Sequence, residues 1–240
     1  MGDLFANWHY LSFSDDGWGW NMLRGLLSTL QIAIGAYVLG LIIGLAGALG
    51  KINGSTPLKW LLEFYTTLIR AVPELVLILL LYYAGTGLIN QMLEWLGYRP
   101  VDISGLAAGI AVLGVVQGAY ATEVIRGAML AVPRGQLEAA YAFGMTRWQT
   151  FRRISLPAML PFALPGMSNL WLIVTKDTAL LAVVGFSELA LTTRQAAGTT
   201  RAYFMFFFAA AMLYLLVTLV SNQIFAALER HSRRGQPRLT

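Results

Sequence analysis

Long apolar stretches, each closed by a short charged segment, set the pattern of this chain. The first uncharged run extends from Gly25 to Gly50, between Arg24 and Lys51. A helix needs about 20 mostly apolar residues to cross a hydrocarbon core of about 30 Å, so this run predicts a membrane span over residues 25–50. A second span is predicted over 57–85: it rises from Pro57 through Arg70 and then runs uncharged from Leu75 to Leu93. Further spans are predicted over 103–127 (uncharged from Ile103 to Thr122), 154–175 and 202–228. The fold class that follows is all-α, one polytopic membrane domain over residues 1–240 with five transmembrane helices. Glycines recur four residues apart at Gly40/Gly44, Gly105/Gly109 and Gly114/Gly118. That spacing lets helices approach closely within a bundle or across a dimer face, although membrane helices are rich in glycine generally.

Composition excludes a water-covered globule. Hydrophobic residues make up 57 % of the sequence, charged residues 12 %, and mean hydropathy is +0.62, whereas a soluble domain devotes about a quarter of its residues to charge. The pI of about 9.6 does not indicate nucleic acid, because the basic residues cluster in short segments between apolar runs. Five spans place the termini on opposite sides, and the positive-inside rule selects the orientation. With the C-terminus inside, Lys51, Lys59, Arg126, Arg134, Arg147, Arg152, Arg153, Arg230, Arg233, Arg234 and Arg238 are cytoplasmic. Arg24, Arg99, Lys176, Arg194 and Arg201 are outside, with Asp3, Asp15 and Asp16. Trp8, Trp18, Trp20, Trp95 and Tyr98 then fall at the outer interface, where aromatic rings are favoured. The N-terminus lacks the basic region of a cleaved signal peptide. With no cysteine and only His9 and His231, neither a thiolate or metal centre nor a nucleophile–histidine pair is expected.

One loop carries more information than the rest. Val132-Pro133-Arg134-Gly135-Gln136-Leu137-Glu138-Ala139-Ala140-Tyr141-Ala142-Phe143-Gly144 lies between spans three and four, followed by Ile154-Ser155-Leu156-Pro157. Pro133 and Gly135 break the incoming helix, Gln136 to Phe143 accommodate two helical turns, and Gly144 suits the left-handed residue that ends a helix. A short helix over 136–144, lying across the membrane normal, is expected. The pattern Glu-Ala-Ala, three residues, Gly, nine residues, Ile, one residue, Leu-Pro resembles the EAA loop of ABC importer permeases of the type I fold. The resemblance implies a coupling helix that docks on a nucleotide-binding subunit, through Glu138, Ala139, Ala140, Gly144, Ile154, Leu156 and Pro157. Three more segments are similar to the polar amino acid branch, the permeases for histidine, for lysine, arginine and ornithine, and for opines. These are Tyr65 to Leu77, with its Arg70-Ala71-Val72-Pro73 core; Gly118 to Gly127; and Lys176-Asp177-Thr178-Ala179-Leu180. Ala71 and Ala179 stand where that branch commonly has Gly and Ser.

Charged groups within a span are expensive and mark function by default. Glu63, Arg70 and Glu74, seven and four residues apart, share one face if the second span is a continuous helix, and Arg70 and Glu74 then form an i, i+4 pair. Pro73 removes a backbone hydrogen bond and permits a kink. Arg70 and Glu74 are candidates for the wall of a substrate path, or else a structural pair; Glu63 reads as a solvated residue near the cytoplasm. Glu123 and Arg126 predict a local ion pair. Gln117 and Tyr120 offer polar contacts deeper in span three. Lys176, Asp177 and Thr178 either hold a zwitterion or anchor the end of span four. For a cationic substrate, Glu74 or Asp177 is the natural counter-charge.

The chain has no phosphate-binding Gly-rich Lys-Ser/Thr loop, so it needs no cofactor of its own. ATP-Mg is expected on a partner ATPase dimer. The resemblance further implies an extracytoplasmic solute-binding protein and a second permease, identical or related, in a bacterial inner membrane. The basic tail from Glu229 to Arg234 suits an anchor on anionic headgroups. A secondary amino-acid transporter independent of an ATPase is the alternative; it would carry more spans with internal repeats. A membrane enzyme lacks its catalytic set, and a purely structural subunit leaves the Glu138–Gly144 pattern unexplained.

Overall fold

The computed structural model describes residues 8–100 and 104–233. Asp3, Ile103, Arg234 and Arg238 lie outside the described residues. Nine α-helices follow in order among them: α1 (Gly19–Asn53), α2 (Thr56–Ala71), α3 (Glu74–Trp95), α4 (Gly105–Leu130), α5 (Arg134–Ala142), α6 (Arg147–Thr150), α7 (Leu156–Asp177), α8 (Leu189–Thr200) and α9 (Tyr203–Ser232). Five helical segments are long and apolar enough to cross a membrane: α1, α3, α4, the run Arg147–Val184 that contains α6 and α7, and α9.

The bundle is organised on the pair α1–α4. Gly40 faces Gln117, Gly44 faces Ala121 and Gly47 faces Thr122, while Gly114 and Gly118 on α4 receive Leu39 and Ile43. Positions rise together along both helices, so the two run parallel, as they must when α3 returns across the membrane between them. The Gly40/Gly44 and Gly114/Gly118 pairs therefore pack helices within this chain. Gly105 and Gly109 instead make room for Phe186 and Leu181. Along this seam Ile32, Ala36, Val112 and Leu113 form a core with Val174 and Leu181, and Ala48, Ala121 and Ile125 form another with Met159, Ala163 and Leu170. The Tyr37 hydroxyl donates to the Met167 carbonyl at 3.0 Å, tying α1 to α7. Indole Nε1 of Trp171 donates to Ser221 Oγ at 2.8 Å, tying α7 to α9.

The second span departs from expectation. The chain does not kink at Pro73; it breaks. α2 ends at Ala71, Val72 and Pro73 are extended (φ −99°, ψ 139° and φ −56°, ψ 134°), and α3 starts at Glu74. Proline disfavours helical geometry in the residue before it, here Val72, and Pro73 itself has no N–H to donate to the preceding turn. Glu63, Arg70 and Glu74 are thus not on one helix face, and no i, i+4 ion pair joins Arg70 to Glu74. Only α3 is long and apolar enough to cross; α2 carries a strongly one-sided apolar face and buries just Thr66 and Ile69.

The fourth span is also longer than the predicted 154–175. A reciprocal cap, with Gln149 N–H donating to Thr146 Oγ1 and Thr146 N–H to Gln149 Oε1, starts a helical run at Arg147. It passes through a wider π turn over Phe151–Ser155 and absorbs Pro157 at the start of α7. After Asp177 a 3-10 turn over Thr178–Val184 ends at Gly185, whose φ of 87° requires the left-handed region.

Helix α8 was not expected from the hydropathy pattern. It is held by Glu188, a fully buried acid at its N-terminus. The Glu188 carboxylate accepts from the N–H groups of Ala190 (2.8 Å) and Leu191 (2.7 Å), from Thr29 Oγ1 on α1 (3.3 Å) and from the Tyr214 hydroxyl on α9 (3.3 Å). Thr29 Oγ1 in turn accepts from the Leu189 N–H. Burial pushes this carboxyl above the usual range, while its four donors pull the other way. The positive end of the α8 dipole stabilises the negative charge.

Two stability outcomes follow. Gly44→Ala places a methyl 2.5 Å from Ala121 Cβ and 2.9 Å from its backbone carbon, so the α1–α4 seam must part. A loss of about 1–3 kcal/mol is expected, read as a lowered Tm in detergent, with Gly127→Ala, which meets no neighbouring atom, as the control that holds its Tm. Glu188→Ala removes a cap and strands buried donors at the cost of about 1–3 kcal/mol; hydrogen exchange should speed up in α8 ahead of the rest of the bundle.

Candidate functional site

Helix breaks inside a bilayer leave backbone groups without partners, so they persist only inside protein or beside a water-filled cavity. The break at Val72–Pro73 falls near the middle of the bundle, opposite Tyr120, which lies midway along α4. Around it the structure gathers side chains from four helices. Glu74 opens α3, Arg70 closes α2, and each charge complements the dipole of the helix end that carries it. Tyr120 of α4 sits against Glu74, in the field of Arg70 and of Asp177 at the end of α7. The Asp177 carboxyl faces Glu74, with Lys176 adjoining. Glu74, Tyr120 and Asp177 are half-buried; Arg70 and Lys176 are exposed.

Four of the seven candidate path residues therefore converge (Arg70, Glu74, Tyr120 and Asp177), with Lys176 beside them. Two do not. Gln117 is buried against α1, its Cβ beside Gly40, and neither amide atom has a partner. Thr178 is fully buried with its hydroxyl donated to the Thr175 carbonyl at 2.8 Å, on the side of Tyr214 and the Glu188 cluster. The remaining group is rich in carboxylates: two acids facing each other, one phenol, and two cations at the rim. It suits a cationic or zwitterionic small molecule.

At the far end of α4 the short helix α5 stands out from the bundle. Pro133 precedes it, and Gly144 (φ 74°) ends it in a cap in which the Met145 N–H reaches back to the Ala140 carbonyl at 3.1 Å. The helix starts at Arg134, two residues before the predicted 136, and turns Ala140 inward while Leu137 and Leu156 pack on the Ala48–Ala121–Met159 core. Its outer surface exposes Glu138, Ala139, Tyr141 and Phe143, the last at 85 %, and Trp148 stacks on Phe151 nearby. Ile154 lies in the π turn and Pro157 in the first turn of α7, so both set the angle at which the loop rejoins the bundle. Small residues beside exposed rings on a firmly anchored helix form a surface fit for a protein groove.

Sequence reasoning missed two polar clusters. Glu188, with Thr29 and Tyr214, brings together residues 159 and 26 positions away. Its one local signal was an acid immediately before the run Leu189–Ala197, in N-cap position. Lys51, placed on the cytoplasmic side as the charge that closes the first span, is inside α1 with its side chain 4 % exposed. The Glu123–Arg126 ion pair is formed at 2.7 Å, but Glu123 also receives Lys51 at 2.6 Å, which no spacing rule could reveal.

Comparison with known proteins agrees with the geometry. Residues 21–234 match the model of the binding-protein-dependent transport system inner membrane component family. The histidine/lysine/arginine/ornithine transport system permease protein HisQ of Escherichia coli strain K12 is 44 % identical over 217 residues, 90 % of this chain and 95 % of that protein. The octopine transport system permease protein OccQ of Rhizobium radiobacter is 40 % identical over 95 % of this chain and 97 % of its own. Among solved structures, an amino acid ABC transporter with histidines superposes with a TM-score of 0.74 at 29 % identity, covering 89 % of this chain and 95 % of that one. The inward-facing MetNI methionine ABC transporter, at 20 % identity and a TM-score of 0.68, shares the fold. A parallel α1–α4 core, a break lined with ionisable side chains and a presented loop helix are thus the parts of a transport permease, and the chain belongs to the family of inner membrane components of binding-protein-dependent transport systems.

Proposed function

We propose that this permease carries a cationic amino acid or opine inward, and that ATP-Mg bound by a separate ATPase dimer drives it through α5. The observation that carries the reading is the group of Arg70, Glu74, Tyr120 and Asp177, gathered from four helices at the break where the α3 span begins. Ionisable groups at that depth belong on a substrate path or an inner interface. α3 buries only Leu77 and Ile78, so this chain alone leaves the path open on one side. A second permease, identical or related, closes it. The curated relatives carry names for histidine, lysine, arginine, ornithine and octopine transport, and two facing carboxylates supply the counter-charge such substrates need.

The cycle is one of alternating access. An extracytoplasmic binding protein delivers the substrate at the outer face, where the N-terminus lies. Closure of the ATPase dimer pushes α5 from the cytoplasmic side, and the bundle rocks about the rigid α1–α4 pair to open the path outward. Hydrolysis then returns the inward-facing state. Tyr120 and the rim cations hold the substrate carboxylate, while Glu74 and Asp177 hold its cationic end. Gln117 and Thr178 act by packing.

Two outcomes test this. In proteoliposomes with the ATPase and binding protein, one of histidine, arginine, lysine or octopine should stimulate ATP hydrolysis. Glu138→Lys and Gly144→Asp should abolish that stimulation and weaken assembly; normal transport in both would rule out coupling through α5. Secondly, Asp177→Asn and Glu74→Gln should each lower uptake of the cationic substrate about tenfold, as expected for ~1.4 kcal/mol per lost charge contact. Unchanged uptake in both variants would remove these acids from the path.

A further inference from the structure

Three helices meet at Lys51. Its ammonium donates to Glu63 Oε2 (2.7 Å) and Thr66 Oγ1 (2.6 Å) on α2, and to Glu123 Oε1 (2.6 Å) on α4. All three donors of the ammonium are used. The other Glu123 oxygen accepts from Arg126 Nη2 (2.7 Å) and Nε (3.1 Å). Two cations and two carboxylates thus balance at one end of the bundle. An ammonium buried to this degree is tolerated only with such partners.

This junction matters because α2 is otherwise thinly attached. Leu58, Trp60, Leu61, Phe64 and Leu68 face outward. Its other ties include Leu62, beside Gly50 of α1, the Tyr65 hydroxyl on the Val115 carbonyl, and Ile69, which clusters with Leu77, Val116 and Ala119. α2 is a rod about 24 Å long, held by Lys51 at its middle, through Glu63 and Thr66, and carrying Arg70 at its end. Glu123 and Arg126 lie in the last turns of α4, which leads through Pro133 into α5.

We propose that Lys51 is a positioning residue for transport, clamping α2 to the α1–α4 pair so that displacement of the loop at α5 reaches Arg70 and the break at Val72–Pro73. The clamp rests on the reading of α5 as the element the ATPase drives. Lys51 touches no substrate; it fixes the rod that holds one wall of the path. The α1–α4 seam is too close-packed to shear, so α2 is the part free to swing if the clamp opens.

Lys51→Met tests the idea cleanly. It strands no carboxylate, because Glu123 keeps Arg126 and the Glu63 side chain is 70 % exposed. In the reconstituted complex the readout is substrate imported per ATP hydrolysed. Lys51→Met should lower that ratio at least about fivefold, the lower end of typical coupling factors, and Lys51→Arg should restore most of it. A ratio that stays at the wild-type value, with transport and hydrolysis falling only in step with the amount of complex, would reduce Lys51 to structural support. A second measurement needs no transport. The chain has no native cysteine, so spin labels at Thr67→Cys and Gly127→Cys report the α2–α4 distance, with Ala46→Cys and Gly127→Cys as an α1–α4 reference. Lys51→Met should broaden or shift the first distribution and leave the second intact. An unchanged α2–α4 distribution overturns the clamp. Import by the wild type without ATP would instead overturn the reading of α5, and the distance measurement would still decide whether Lys51 holds α2.

Discussion

Close contact between α1 and α4 is the constraint on which the other elements depend. Lipid chains are as apolar as leucine, so helices in a bilayer gain little from hiding hydrophobic surface and must be held by fit and by polar contacts. Glycine at positions 40, 44 and 47 on one helix, and at 114 and 118 on the other, lets backbones approach where any side chain would hold them apart. Both polar clusters build on this pair from its two ends: Thr29 lends a hydroxyl to Glu188 at one, and Lys51 meets Glu123 at the other. α8 adds apolar packing of Leu189, Ala196 and Ala197 against Met22 and Phe206, whereas α2, which buries only Thr66 and Ile69, leans more on its cluster. The close-packed centre of the permease is thus the α1–α4 pair, and α2 and α3 bury two residues each.

The break at Val72–Pro73 shows how charge is accommodated at helix ends. Glu74 and Arg70 sit on helix ends created by Val72–Pro73, where dipoles of the right sign soften the cost of each charge. The same break frees backbone groups that would be unacceptable against hydrocarbon. A continuous second helix would have offered a neutral, satisfied backbone and nothing for a polar solute to bind.

Much of this was legible in the sequence. Hydropathy located five crossings because burial in lipid demands long uncharged runs, and the Glu138–Gly144 pattern identified the loop because its helix is ended by a glycine in the left-handed region. The glycine pairs were visible but not their partners, since a four-residue spacing says nothing about which helix approaches. Three features were misread or missed, each for its own physical reason. Pro73 was read as a kink from its missing hydrogen bond, yet the steric demand on Val72 adds to it and breaks the helix. Thr178 was grouped with Asp177 by adjacency, but consecutive helical positions point about 100° apart, Asp177 toward Glu74 and Thr178 into the bundle. Lys51 was visible as the charge that closes an uncharged run, but not its partners, which lie 12, 15 and 72 positions away.

The exposed flank of α3 also bears on how the molecule is made. Leu75, Val76, Leu80, Leu88, Ile89 and Met92 stand exposed along it, while Glu74 turns toward Tyr120 and Asp177. Such a flank meets no penalty against lipid tails, which are as apolar as leucine. A copy leaving the insertion machinery can rest in the bilayer as it is, with its charges already turned inward.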